Sequence, residues 1–217
     1  TISRDKKNIT KTIIRKDIKI KNVKSKTEGD IGYIQILSFI GSTTYNEFLE
    51  ALANTEKTKG LIIALRGNSG GLLPNAVYMA NLFINKGNIV SIVGRNGYKK
   101  KIKAQDLKYQ VKKPIVLLID ENSASASEIF SGALKDYGKA TIIGTKSFGK
   151  GMVQRIIPMP NETGINLTIA KYLTPNDTDI NKKGIEPDIK VTLNKNSKED
   201  IQLKAAKTLV ETMIKNN

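Results

Sequence analysis

Residues 120–138 read DENSASASEIFSGALKDYG. Ser123, Ser125 and Ser127 alternate with alanines where a helix begins, so small hydroxyls stand beside unpaired backbone N–H groups and the positive end of a helix dipole. A serine in that first turn has donors for an oxyanion at hand, and Ala124 and Ala126 would let a substrate backbone approach closely. The same residues also suit a plain helix start, with Ser123 as cap and Ser127 and Glu128 polar on the outer face. A nucleophilic hydroxyl needs a base, and the chain contains no histidine. That excludes the Ser-His-Asp arrangement and imidazole metal ligands. The absence of cysteine excludes disulfides, thiol chemistry and thiolate metal sites.

SFGKGMVQ (147–154) offers another base. Lys150 stands between two glycines at the entry to an apolar strand, a setting that favours partial burial and so disfavours a charged amine. Counted by twos, Lys150, Met152 and Gln154 share one face of that strand. A lysine acting near neutrality must be brought down from about 10.4, which takes roughly 4 to 5 kcal/mol of differential environment. An ordinary turn lysine is the other reading of the same residues. GNSGG (67–71) follows a buried strand, and consecutive glycines there allow unusual backbone geometry and expose N–H groups. A P-loop is excluded because no Lys-Ser/Thr pair follows the glycines. The turn is either a plain tight turn or, through Gly70 or Gly71 with the N–H of Ala126, a pair of oxyanion donors.

The elements that must position these residues follow from periodicity. Ile9–Ile20 alternates in part and predicts a strand after a turn at 5–8; 21–30 is polar and basic, a connector. Buried strands are expected at Ile31–Phe39, Gly60–Arg66, Asn88–Val93 and Pro114–Asp120, and helices over Asn46–Ala53, Pro74–Ile84 and Ser125–Tyr137. Ala126, Ile129, Phe130, Ala133, Leu134 and Tyr137 form the inward stripe of the third helix, and Gly138 ends it. ATIIGT, MVQRIIPM and INLTIAKYLTP read as further strands, with a short one at Lys190–Leu193 and a closing helix over Gln202–Ile214. Strands alternating with helices make the fold class α/β. In open α/β sheets, turns at the carboxyl ends of strands are where ligands bind.

A net charge of +16 in 217 residues raises the question of nucleic acid. The basic residues are dispersed, however, and aromatics that could stack on bases are few. General solvated charge, facing an anionic envelope or acidic partners, fits better, and no nucleic-acid partner is expected. No apolar run reaches the length needed to cross a bilayer, and Thr1–Lys7 lacks the layout of a signal peptide.

Taken in order, GYIQILSF, LRGNSGG, SASASEIFSGALKDYG, GTKSFGKGMVQ and GIEPDIKV resemble the carboxyl-terminal processing peptidases, or tail-specific proteases, from about Ile13 to the last helix. The resemblance implies Ser125 as nucleophile, Lys150 as general base, Gln154 as the side chain that orients the lysine, and Gly70 or Gly71 with Ala126 as oxyanion hole. Asp136 is implied to be structural. It further implies a ClpP- and crotonase-related core of β-β-α units, no metal or organic cofactor, and action in the periplasm or cell envelope. Substrates would be proteins with unstructured non-polar carboxyl tails; the oligomeric state stays open. Members of that family often have aspartate where Ala64 stands, and usually carry a PDZ domain before the core. Here Thr1–Lys21 is expected to represent the last strands of that domain, 22–30 a connector, and 31–217 the peptidase core. A non-cleaving peptide-binding module on the same fold is the alternative.

Overall fold

In the computed structural model, residues 1–14, 20–193 and 199–216 are described. Six strands form the central sheet in the order β12-β9-β8-β5-β4-β3, comprising β3 (Val23–Glu28), β4 (Ile31–Ile36), β5 (Gly60–Ala64), β8 (Ile115–Ile119), β9 (Thr141–Gly144) and β12 (Ile189–Lys190). Only the β3–β4 pairing is antiparallel; β4 to β12 run parallel. A second, antiparallel sheet has the order β10-β11-β6-β7, from β6 (Asn88–Gly94), β7 (Lys99–Lys103), β10 (Met152–Met159) and β11 (Thr163–Leu173). The α/β class expected from the sequence is observed.

The unbroken apolar runs of β5 and β8 follow from burial on both faces. Leu61, Ile63, Ile115, Leu117 and Ile119 face α1 (Thr44–Asn54), α2 (Leu73–Asn81) and α3 (Ala126–Asp136). Ile62, Ala64, Val116 and Leu118 face α4 (Ile201–Lys215), through Ala206 and Val210. On the first side Phe39, Phe48, Phe83 and Phe130 pack ring to ring, with centroids 5.9 to 6.3 Å apart. Phe130 lies at the middle of that cluster, so α3 is held at its centre by aromatic contact as well as by area.

Two expectations need correction. The strand over Ile9–Ile20 is not found among its described residues. The chain instead pairs β1 (Ile2–Arg4) with β2 (Lys7–Ile9) about a turn in which Asp5 and Lys6 have φ of 52° and 60°. Residues 10–14 adopt no regular element, and 15–19 lie outside the described residues. Among the described residues, nothing covers Ile13 and Ile14, which are 80% and 86% exposed. The connector over 22–30 contains β3, an edge strand with a single buried side chain, Val23. Backbone pairing with β4 supplies what its polar sequence conceals. The run Lys99–Lys103, for which no element was expected, is the edge strand β7, with Lys99, Lys100, Lys101 and Lys103 exposed. Lysine on an edge strand discourages pairing with other chains.

Arg66, just beyond β5, clamps α4 to the sheet. Its Nη1 and Nη2 donate to Asp200 Oδ1 and Oδ2 at 2.8 and 2.7 Å, and Asp200 Oδ1 also caps α4 by accepting from the Leu203 N–H at 3.0 Å. The Arg66 hydrogen bond holds the Asp200 carboxyl below the ordinary aspartate range, against an opposing effect of burial. A carboxyl depressed in the folded state adds stability above its unfolded value, about 4, and loses it as the pH falls through the folded value. Asp200→Asn is therefore expected to be less stable than wild type at pH 7, with the gap closing in urea unfolding below about pH 4. A gap of constant size down to pH 2.5 would rule out this linkage.

Candidate active site

At the carboxyl ends of β5 and β8, the turn 67–71 and the loop 120–125 lock together through backbone groups. Asp120 Oδ1 accepts from the N–H groups of Gly67 and Asn122 at 2.9 and 3.1 Å. Ser123, buried, donates to Leu65 O at 2.9 Å and accepts from the Asp120 N–H at 3.0 Å. Ser123 thus ties the loop to β5 and is not the helix cap; that position belongs to Ser125. Asn68, fully buried, donates from Nδ2 to Ile36 O and accepts from the Gly70 N–H at Oδ1, while its carbonyl accepts from the Ala124 N–H and from Ser127 Oγ.

Gly70 is where the two loops touch. Its φ is 102°, and a Cβ there would fall 2.6 Å from Ala124 O and 2.9 Å from Ala126 N. Only glycine permits this approach. Ser125 itself has φ 54° and ψ −112°, a conformation that strains any residue with a Cβ. Its N–H donates at 2.8 Å to Glu128 Oε2, one turn into α3. Among the described residues, no acceptor takes the N–H of Ala126 or of Gly71, whereas the Gly70 N–H is engaged by Asn68. Of the two glycines read as oxyanion donors, Gly71 is the one with an unengaged N–H.

The loop carrying Lys150 packs beside Ser125 through main chain. The Phe148 N–H donates to Ser123 O at 3.0 Å, and the Gly149 and Lys150 N–H groups donate to Glu128 Oε1 and Oε2 at 2.6 and 2.8 Å. Ser147 Oγ donates to Glu128 Oε1 at 2.6 Å and accepts from the Ile185 N–H at 2.6 Å. The GIEPD stretch therefore acts locally, its backbone holding the lysine loop from behind. A Cβ on Gly149 would meet the Lys182 carbonyl carbon at 3.0 Å. Gly149 and Gly151 occupy the buried side of the loop, and the side chain between them is left in solvent. Lys150 is exposed, contrary to the burial expected from its flanking glycines. Its amine makes no hydrogen bond or ion pair among the described residues, to Ser125 Oγ or to any other group.

Gln154 is exposed on β10 and accepts from Asn166 Nδ2 at 3.3 Å, with no contact to Lys150. Asp136 accepts from the Asn176 N–H at 2.8 Å at the far end of α3, a tie between α3 and the loop after β11. Ser127 and Glu128 are fully buried rather than lying on an outer face, because the lysine loop and residue 185 cover that side of α3. The sequence reading missed Glu128 and Asn68 as organisers. The Ser-x-x-Glu spacing of Ser125 and Glu128, a capping-box pattern, signals one of the four Glu128 bonds. A separate concavity of about 360 Å³, lined by Phe83, Val111, Pro114 and Ala140, opens at the amino ends of β8 and β9 and shares no residue with this cluster.

What the arrangement can do is hold one hydroxyl at a helix entrance, next to the unengaged N–H of Ala126 and against Gly70, with an amine-bearing loop anchored to the same carboxylate. Known proteins resemble the chain over this whole region. It is 46% identical over 188 residues to the carboxy-terminal-processing protease of Bartonella bacilliformis, covering 82% of this chain and 43% of that protein. With the carboxy-terminal processing protease CtpA of Bacillus subtilis it shares 42% over 190 residues, or 86% and 40% of the two chains. The solved photosystem II D1 C-terminal processing protease superposes with a TM-score of 0.75 at 30% identity, over 82% of this chain and 50% of that one. The chain thus spans about two fifths of the length of these curated relatives. The profile of peptidase family S41 matches residues 30–191, from the β3–β4 turn through β12, and the chain belongs to that family.

Proposed function

We propose that this chain is the peptidase core of a carboxy-terminal processing protease, cutting proteins near unstructured, non-polar carboxyl tails. The observation that carries the reading is the strained backbone of Ser125, set at the entrance of a buried helix beside the unengaged N–H of Ala126 and packed against Gly70, the residue before Gly71. The names of its relatives support the substrate class.

In the reaction, the neutral amine of Lys150 takes the proton of Ser125 Oγ as that oxygen attacks a peptide carbonyl. The N–H groups of Gly71 and Ala126 donate to the resulting oxyanion, each such donor being worth about 3 kcal/mol or more. The ammonium of Lys150 returns its proton to the leaving amine, and the C–N bond breaks to leave an ester on Ser125. Lys150 then takes a proton from water as it attacks the ester, and gives it back to Ser125 Oγ on release. Lys150 lies in solvent in the substrate-free chain, and the bound peptide is what covers it. Gln154 exchanges its contact with Asn166 for one to Lys150 when the peptide binds. Thr1–Lys21 represents the last strands of a PDZ domain, which captures a tail by strand addition. The periplasm or cell envelope is the place of action.

One observation favours a second reading, a peptide-binding module that does not cut: no hydrogen bond joins Ser125 to Lys150. Tail-peptide binding with no acyl-enzyme in mass spectrometry would select it.

Ser125→Ala and Lys150→Ala are each expected to lower cleavage of a disordered tail peptide at least about 1,000-fold while circular dichroism stays unchanged. Full activity in Lys150→Ala would end the Ser-Lys mechanism. Ser125→Gly separates strain from chemistry. It should abolish cleavage and raise unfolding stability by about 1 kcal/mol, since glycine tolerates a φ that costs serine. Lower stability in this variant would show that Ser125 is not strained.

A further inference from the structure

Glu128 is a carboxylate with no exposed surface, and it accepts four hydrogen bonds from two segments of chain. Oε1 takes Ser147 Oγ and the Gly149 N–H; Oε2 takes the N–H groups of Ser125 and Lys150. Ser147 Oγ must give its hydrogen to Glu128, because the Ile185 N–H already points into that oxygen. All four partners are therefore donors, which is the pattern an ionised carboxylate satisfies in full. Its place in the first turn of α3 adds the favourable end of the helix dipole.

A helix cap explains only one of these bonds, the one to Ser125. The other three reach 19 to 22 residues along the chain. A carboxylate buried without a cation is expensive to keep, and an apolar residue would plug the same space at lower cost. What an apolar residue could not do is fix two loops to one rigid group. Oε2 alone joins the amides of the residues proposed as nucleophile and base, so any shift of one loop is transmitted to the other through a single atom.

We propose that Glu128 is the positioning residue of the Ser125–Lys150 pair: it holds Ser125 in its strained conformation and sets the register of the lysine loop against it. The inference rests on the Ser-Lys reading above for its catalytic meaning, and on geometry alone for the coupling of the two loops. Glu128→Gln keeps the shape but turns an NH2 group toward at least two donors. With charge-assisted bonds lost, kcat on a fluorogenic tail peptide is expected to fall about 100-fold while KM stays within about threefold. Amide exchange followed by NMR should quicken at least about tenfold at Ser125, Gly149 and Lys150 together, with Ile129–Leu134 still protected.

Exchange unchanged at either Ser125 or Lys150, or kcat within about threefold of wild type, would overturn the proposal. The exchange measurement does not depend on peptide cleavage. A wild type that cut nothing would remove the protease reading and leave the coupling to be decided by the amides. If Glu128→Gln fails to fold, Ser147→Ala tests the same network with the carboxylate kept. It should loosen Gly149 and Lys150 and lower kcat about tenfold, one hydrogen bond to a charged group being worth roughly that factor. Wild-type exchange and rate in Ser147→Ala would also overturn it.

Discussion

Close contact between main-chain segments, rather than between side chains, is the constraint on which this site depends. The turn after β5, the loop after β8 and the loop before β10 meet at distances that admit no Cβ at Gly70, and nearly every hydrogen bond that holds them has a backbone amide or carbonyl on at least one side. Such contacts are stiff because each group has one partner in one direction. The side chains taking part, Asp120, Asn68, Ser123, Ser147 and Glu128, are short or buried, and every one binds at least one backbone N–H group. The backbones of Ser125 and Lys150 are thereby carried on one frame whose positions the fold itself sets.

That frame is anchored by burial on a larger scale. α3 has its stripe of Ile129, Phe130, Ala133 and Leu134 against the sheet, as its periodicity indicates. Its opposite side is enclosed too, so Ser127, Glu128, Ser131 and Gly132 are buried as well. A helix surrounded in this way cannot rotate to relieve the strain at its entrance. The exposed residues of the site are few, Lys150 and Gln154 among them, and these are the ones whose contacts a bound peptide would change.

Much of this was readable in the chain. The parallel strands β5, β8 and β9 announce themselves as apolar runs because both faces are covered, and glycine and proline mark the turns between them. β10 follows MVQRIIPM residue for residue. The blocks around Ser125 and Lys150 stood out in a chain with neither histidine nor cysteine, and the structure brings their backbones together at Glu128. Two polar edge strands were not legible: β3 and β7 carry few apolar residues, and a strand held mainly by backbone pairing leaves no hydrophobic period. Nor was the burial of Glu128. It depends on residues 147–150 and 185, and local sequence does not report which distant segment will cover a helix face. The exposure of Lys150 went unseen for a related reason, since flanking glycines indicate a tight loop without saying which side of it faces the protein.

The edge strand β7 bears on how copies of this chain meet one another. It ends its sheet with an unpaired row of peptide groups, and Lys99, Lys100, Lys101 and Lys103 stand along it. Two such borders brought side by side would set like charges opposite each other, so sheet growth from molecule to molecule is opposed by repulsion. Counter-ions weaken that repulsion over a distance of about 10 Å at 0.1 M salt. Pairing of two such borders is thus opposed in a salt-dependent way by Lys100, Lys101 and Lys103, while Lys99 is neutralised by Asp177.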